Sequence, residues 1–141
     1  MISKAKIAIA TIFLYAIGIS CTSTSVMRLE GKDFNENLPG LWEGKMYYAA
    51  GRTGPYSIKI IKIDGNKVHL TGYASGAASG TDEVSGRIEN STLILTWGVI
   101  GSSDKCKDEL RMLRDDSNNL ILDGPLICPG FIGKTRLNKI E

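Results

Sequence analysis

The 141-residue sequence predicts an all-β fold, most simply a small antiparallel up-and-down β-barrel of about eight strands. Turn-forming residues recur about every eight to twelve residues after position 38, which is typical of short antiparallel strands. The segments between the turns alternate apolar and polar residues, so each strand is expected to bury one face. Closing the sheet leaves no free edge, and a two-sheet β-sandwich is the alternative.

Residues 1–20 are typical of a secretory signal peptide. Lys4 and Lys6 precede an apolar run at residues 7–19, and the small residue Ser20 follows it. A membrane-spanning helix needs about 20 apolar residues, so the run is short for a permanent span. We therefore expect the segment to be cleaved. The alternatives are that it is retained as an N-terminal anchor, or that an ordinary signal peptidase cleaves it and leaves a soluble protein.

The segment Ile17-Gly18-Ile19-Ser20-Cys21 resembles the cleavage box of bacterial lipoprotein precursors, although Gly18 stands where that family most often has leucine. The resemblance implies that Cys21 becomes the first residue, with a diacylglyceryl thioether on its sulfur and an acyl chain such as palmitate on its amine. It implies a lipid anchor in the bacterial cell envelope. Thr22, rather than aspartate, follows the cysteine, and in enterobacterial members of that family this implies the outer membrane, facing the periplasm or the cell surface.

The cysteine count agrees with lipidation, because an exported protein with three cysteines otherwise has one unpaired thiol. With Cys21 acylated, Cys106 and Cys128 form the expected disulfide bond. Neither has another cysteine or a histidine at metal-ligand spacing, and His69 is the only histidine. We therefore expect no metal site and no cofactor.

Residues 21–38 are polar and lack a sustained hydrophobic period, which predicts a lipidated N-terminus and flexible linker before a barrel domain at 39–141. The whole chain has 17 Lys+Arg and 15 Asp+Glu. Removing Lys4 and Lys6 with the signal peptide leaves equal numbers of both, so the mature chain is formally neutral. Nucleic acid is not an expected partner, because such proteins carry clustered positive charge.

The barrel domain is divided by its turn signals into eight segments, and no helix is expected after the signal peptide. The predicted strands lie near 41–50, 56–63, 67–74, 82–89, 92–98, 107–115, 119–123 and 131–138.

The strand opening Gly40-Leu41-Trp42 resembles the glycine-any-tryptophan start of lipocalins and the wider calycin group, which includes avidin-like proteins and small periplasmic inhibitors. The resemblance implies that Trp42 plugs one end of the barrel and that a late arginine, Arg136, packs across it. The chain is short for a lipocalin and ends without the usual terminal helix. This favours a compact calycin-like barrel filled by its own side chains over a deep cup.

The candidate chemistry favours binding over catalysis. His69 is the only histidine, and histidine is the side chain most often used as a general base near neutral pH. It lies on the opposite strand face from Val68 and Leu70. Neighbouring acids such as Asp108-Glu109 point to opposite faces of a strand, so they cannot act as a pair on one substrate. We therefore expect no enzymatic activity. The candidate binding residues are tyrosines and the serines of a loop rich in small residues: Tyr48, Tyr56, Tyr73, Ser75 and Ser79.

Two hypotheses of function follow. The favoured one is a lipid-anchored, non-enzymatic module that binds an envelope protein as an accessory, inhibitor, immunity or assembly factor. The alternative is a calycin-type carrier of a small apolar or amphipathic ligand, which would need an internal pocket of several hundred cubic ångströms.

Overall fold

The computed structural model describes residues 25–74, 84–98 and 103–140 and confirms the all-β class. Its elements are β1 (Met27–Arg28), α1 (Gly31–Asn37), β2 (Gly40–Tyr47), a 3₁₀ turn (Ala49–Gly51), β3 (Thr53–Asp64), β4 (Lys67–Ala74), β5 (Ser85–Glu89), β6 (Thr92–Gly98), β7 (Lys105–Arg114), β8 (Leu120–Cys128) and β9 (Phe131–Lys139).

Strands β2 to β9 form one closed antiparallel barrel. Each strand pairs with the next along the chain, and β2 pairs with β9 to complete the ring. This confirms the predicted up-and-down barrel over the two-sheet sandwich. The short β1 pairs with the last residues of β7, where Met27 lies opposite Arg114.

The interior follows from the two-residue period of the strands, because alternate side chains point inward. The buried hydrophobic residues come from every barrel strand except β5, which contributes the partly buried Ile88. The largest fully buried side chains are Trp42, Tyr56, Phe34, Leu38, Met46, Ile58, Ile60, Leu93, Leu95, Leu110, Met112 and Leu122.

Strand β8 is longer than predicted, because it continues through Gly124 and Pro125 to Cys128. A side chain at Gly124 would collide with the backbone carbonyl of Glu109, so glycine allows the two strands to approach closely. Pro125 is exposed, and no pairing with β7 is formed at Gly124 or Pro125. The proline therefore lies where the β7–β8 ladder is interrupted, and its missing N–H costs no hydrogen bond.

The interpretation of residues 21–38 as a flexible linker is wrong for residues 25–38, which are folded onto the barrel. Leu29, Phe34 and Leu38 are each at most 2% exposed. The helix α1 was not expected, since six of its seven residues are glycine or polar and only Phe34 is buried. These residues close one end of the barrel, and we call it the helix end.

Trp42 is fully buried at the helix end, where its indole N–H donates to the carbonyl oxygen of Leu38 at 2.8 Å. The expectation that Arg136 packs across Trp42 is wrong, because Arg136 is an exposed residue between the inward-facing Thr135 and Leu137. Lys139 takes that place. Its Nζ lies 5.6 Å from the centre of the indole ring and donates to the carbonyl oxygen of Asn37 at 2.6 Å.

Candidate functional site

The disulfide bond confirms the predicted pairing and defines the opposite end of the barrel. Cys106 and Cys128 are joined at an S–S distance of 2.06 Å, with their Cα atoms 4.3 Å apart. That Cα separation is typical of directly opposed residues in a non-hydrogen-bonded pair of antiparallel strands. The bond ties the start of β7 to the end of β8, and we call this the disulfide end.

A polar cluster lies inside the barrel near the disulfide end. Asp108 of β7 is fully buried and accepts hydrogen bonds from the Thr135 hydroxyl at 2.5 Å and the Trp97 indole N–H at 2.9 Å. Asp108 faces inward because it alternates with Cys106 and Leu110 along β7. Three strands therefore place one donor or acceptor each at the same point in the interior.

The environment of Asp108 is unfavourable for a charge. Burial raises the pKa of its carboxyl group to about 6, although the hydrogen bonds from Thr135 and Trp97 act in the opposite direction. The nearby Tyr56 is also buried, and burial, followed by the charge of Asp108, raises its pKa well above the ordinary value. The Tyr56 hydroxyl also interacts with the Asp108 carboxyl and lowers its pKa, although it forms no well-aligned hydrogen bond with any of the described residues.

Glycines at inward positions bring the strands close together at this level. A side chain at Gly44 would meet the backbone of Arg136 and Leu137 on β9, and one at Gly133 would meet the backbone of Tyr47 on β2. The β2 and β9 backbones therefore approach closely at these two positions, which only glycine allows.

Aromatic and aliphatic side chains gather where β2 ends and β9 begins. The Tyr48 and Phe131 rings meet edge to face at 6.2 Å between centroids, and both are partly buried. On the outer side, Tyr47 is 42% exposed and Ile132 is 75% exposed. We call Tyr47, Tyr48, Phe131 and Ile132 the rim patch.

The predicted binding residues are separated by the structure. Tyr48 lies in the rim patch, with its hydroxyl 3.9 Å from the Met46 sulfur. The prediction that Tyr56 is a surface binding residue is wrong, because Tyr56 is 1% exposed and lies in the polar cluster around Asp108. Tyr73 lies in β4 opposite Ser57.

Three predicted positions, Cys21, Ser75 and Ser79, lie outside the described residues.

Sequence reasoning missed the roles of Asp108 and Lys139. The signal for Asp108 was present, because it shares a strand face with the apolar residues Leu110 and Met112. Lys139 likewise shares a face with Leu137. The two-residue period of a β-strand places both side chains on an inward face. The residues of other strands that they contact depend on the strand register.

The interior and the outer surface offer different spaces. Large buried side chains fill the interior positions of the described strands. A groove of about 730 Å³ lies outside the barrel, between α1 and the irregular pairing of β3 near Ile61. Within residues 25–74, 84–98 and 103–140, no group of three or more His, Cys, Asp or Glu side chains is placed to hold a metal ion.

No described helix is long and apolar enough to cross a membrane.

Comparisons with protein-family models, with curated proteins and with solved structures each found no match to this chain.

Proposed function

We propose that this protein is a lipid-anchored, non-enzymatic module of the bacterial envelope that binds another envelope protein through the disulfide end of its barrel. The observation that carries the proposal is the rim patch. Residues such as Ile132 are costly to leave in water, and exposed apolar and aromatic groups at one place are typical of protein-binding surfaces.

The way the chain enters the domain supports a separation between anchor and binding surface. Ser25 is held at the helix end, where its backbone N–H and hydroxyl both donate to the Asp116 carboxylate in the turn between β7 and β8. Cys21 precedes Ser25 by four residues, so the acylated cysteine can lie at most about 14 Å away. The rim patch lies at the other end of the barrel.

The carrier hypothesis has less support. A carrier of apolar ligands needs interior volume, whereas the described interior positions hold large side chains such as Trp42, Tyr56 and Met46. A binding protein does not need such a cavity. Organic extraction of the purified protein, followed by mass spectrometry, distinguishes the two: we expect no molecule at one per chain, and a stoichiometric apolar compound would favour the carrier.

The binding proposal is tested by crosslinking the anchored protein in cells, identifying the captured protein and measuring its affinity for purified variants. We expect Ile132→Asp to weaken binding by about tenfold or more, since a buried charge at an interface centre costs more than about 1.4 kcal/mol. The matched control is Ile61→Asp, because Ile61 is also exposed but lies on β3 near the helix end. Equal affinities of the two variants would contradict the proposal.

The anchor is tested separately. Growth with a fatty acid analogue should label the wild-type chain, and Cys21→Ser should abolish the label. A wild-type protein without any acyl mass on Cys21 would contradict the anchor while leaving the rim-patch experiment interpretable.

A further inference from the structure

Strand β3 extends beyond its neighbour β2 at the helix end. Gly40, the first residue of β2, lies opposite Ile60, so β3 continues through Asp64 without a described strand on that side. The preceding chain departs from the sheet at Gly40, whose φ of 135° is readily adopted by glycine. Within the described residues, no backbone hydrogen bond joins residues 61–64 to α1 or Pro39. We call residues 61–64 the open edge.

A β-bulge shapes the open edge. On β4, Leu70 lies opposite Ile60 and His69 lies opposite Lys62, so Ile61 is the extra residue. Ile61 and Lys62 are consequently both exposed, one after the other, which the two-residue period of a regular strand does not allow. The bulge therefore presents an apolar and a cationic side chain together at this edge.

The open edge borders the groove of about 730 Å³. One wall of the groove is formed by residues 61–63 of β3, and the other by Lys32, Asn35 and Glu36 of α1. A second recess of about 430 Å³ adjoins it, and Pro39 lines both. Sites that bind ligands commonly have volumes of about 300–1,000 Å³, so the groove has room for a short segment of chain.

The groove contains a lysine without an acidic partner. Glu36 lies 3.5 Å from Lys32 on the same helix. Lys62 forms no ion pair with any residue that the structure describes. Asp64 is the only acid of β3, and it lies opposite Lys67 on β4. A carboxylate brought into the groove would therefore meet an unpaired ammonium group.

We propose that the open edge binds an extended, acidic peptide segment of another protein, which adds to β3 as a strand and lies between β3 and α1. Exposed strand edges bind peptides in this way, because main-chain N–H and C=O groups supply the hydrogen bonds. Apolar side chains on one face of the segment pack on Ile63 and Pro39, and a carboxylate on the other face meets Lys62. The proposal goes beyond the proposed function and uses neither the lipid anchor nor the rim patch.

The same observations disfavour a second copy of this chain as the occupant. A two-fold pairing of two open edges would use only four residues of each and bring the two Lys62 side chains close together. Like charges on facing strands are destabilising. Bulges and lysines are features by which natural proteins keep strand edges from pairing with one another. An acidic segment removes this repulsion, which makes the edge selective.

The test is binding of a fluorescein-labelled peptide of six residues, in which glutamate and valine alternate, to the full purified chain. The comparison peptide has lysine in place of each glutamate. We expect the lysine peptide to bind about tenfold more weakly or worse, because it meets Lys62 with a like charge. Lys62→Glu should reverse this preference. The matched control is Lys45→Glu, which should not, because Lys45 is exposed on β2 towards the disulfide end.

Two backbone-methylated peptides test the added strand. Alternate N–H groups of an extended peptide point to opposite edges, so methylating the three glutamate nitrogens blocks one edge and methylating the three valine nitrogens blocks the other. We expect one of these peptides to lose about tenfold or more in affinity and the other to stay within about twofold. Hydrogen exchange should slow within residues 61–64 when the unmodified glutamate peptide is bound, and not within residues 131–134.

Several results would overturn the proposal: no saturable binding of the glutamate peptide, equal affinities of the two methylated peptides, or the same charge preference in the wild type and Lys62→Glu. A dimer of this chain that the glutamate peptide dissociates would identify a second copy as the occupant and would also overturn it. Lys62→Glu should leave the affinity for the rim-patch partner unchanged, because the two sites lie at opposite ends of the barrel. Failure of either site is therefore distinguishable from failure of the other.

Discussion

The two ends of the barrel are closed by different physical means. At the helix end, Phe34 and Leu38 cover the interior, and both are fully buried. At the disulfide end, a covalent bond joins β7 to β8, and a carboxyl group lies buried within hydrogen-bonding distance of Trp97 and Thr135. The helix end gains stability from apolar burial. The disulfide end buries a carboxyl group, whose charged form is unfavourable in the interior.

The largest expected effect is at the helix end. We expect Phe34→Ala to lower the free energy of unfolding by about 3–5 kcal/mol, because it removes a fully buried ring and leaves a cavity. The comparison is Phe131→Ala at the disulfide end, where the ring is only partly buried and the loss should be less than half as large. Urea denaturation of both variants measures this, and similar losses would break the distinction between the ends.

The next effect is the pH dependence that Asp108 imposes. Its pKa is about 6 in the folded protein and 3.8 as the ordinary value, so the folded state binds more protons between those pH values. Stability should therefore fall as the pH rises from about 4 to about 6, by up to about 3 kcal/mol, and stay constant above. Asp108→Asn should remove this component, since an amide can still accept from Trp97 and donate to Thr135.

The measurement is the difference in unfolding free energy between Asp108→Asn and the wild type across that pH range. The difference should grow in favour of the variant as the pH rises. Thr135→Val should extend the loss to higher pH, because the hydroxyl of Thr135 donates to the carboxylate and lowers its pKa. Parallel pH profiles of wild type and Asp108→Asn would show that the buried carboxyl does not determine the stability of this end.

A smaller effect separates Lys139 from Arg136. Lys139→Met loses the hydrogen bond to Asn37 and the contact with Trp42, and we expect a cost of about 1–2 kcal/mol. Arg136→Met should cost less than about 1 kcal/mol, because Arg136 is exposed and Asp123 keeps two other cations. Thermal or urea unfolding measures the loss of stability in both variants. A larger loss for Arg136→Met than for Lys139→Met would contradict the conclusion that Lys139, and not Arg136, packs against Trp42.

The barrel was predictable because its pattern is local. The bounds of β4 and β6 coincide with the predicted strands, since Asp64-Gly65-Asn66 and Asn90-Ser91 mark the turns before them. The two-residue alternation then determines which side chains face inward, and closure follows from the sequential order of short hairpins.

The helix end was not predictable in the same way. The helix α1 is short and polar, and its place on the barrel depends on the burial of Phe34, with Leu29 and Leu38 on either side. The three buried apolar residues of this segment lie among polar residues and give no sustained period. Burial against distant strands is a tertiary effect that outweighs the local pattern.

The interior cluster was half predictable. The strand period places Asp108 inside the barrel, but its partners Thr135 and Trp97 lie 27 and 11 residues away in the sequence. Their meeting depends on the register of three strands, which the sequence pattern alone does not determine.

We propose that the partner binds at the disulfide end, whereas the helix end lies next to the anchor. The most direct measurement is site-specific photocrosslinking in cells with the probe at Ile132, near the start of β9, or at Ile140, directly after its end, both of which are exposed. The account predicts one discrete protein adduct from position 132 and none of that mass from position 140. The same adduct at equal yield from both positions would contradict it.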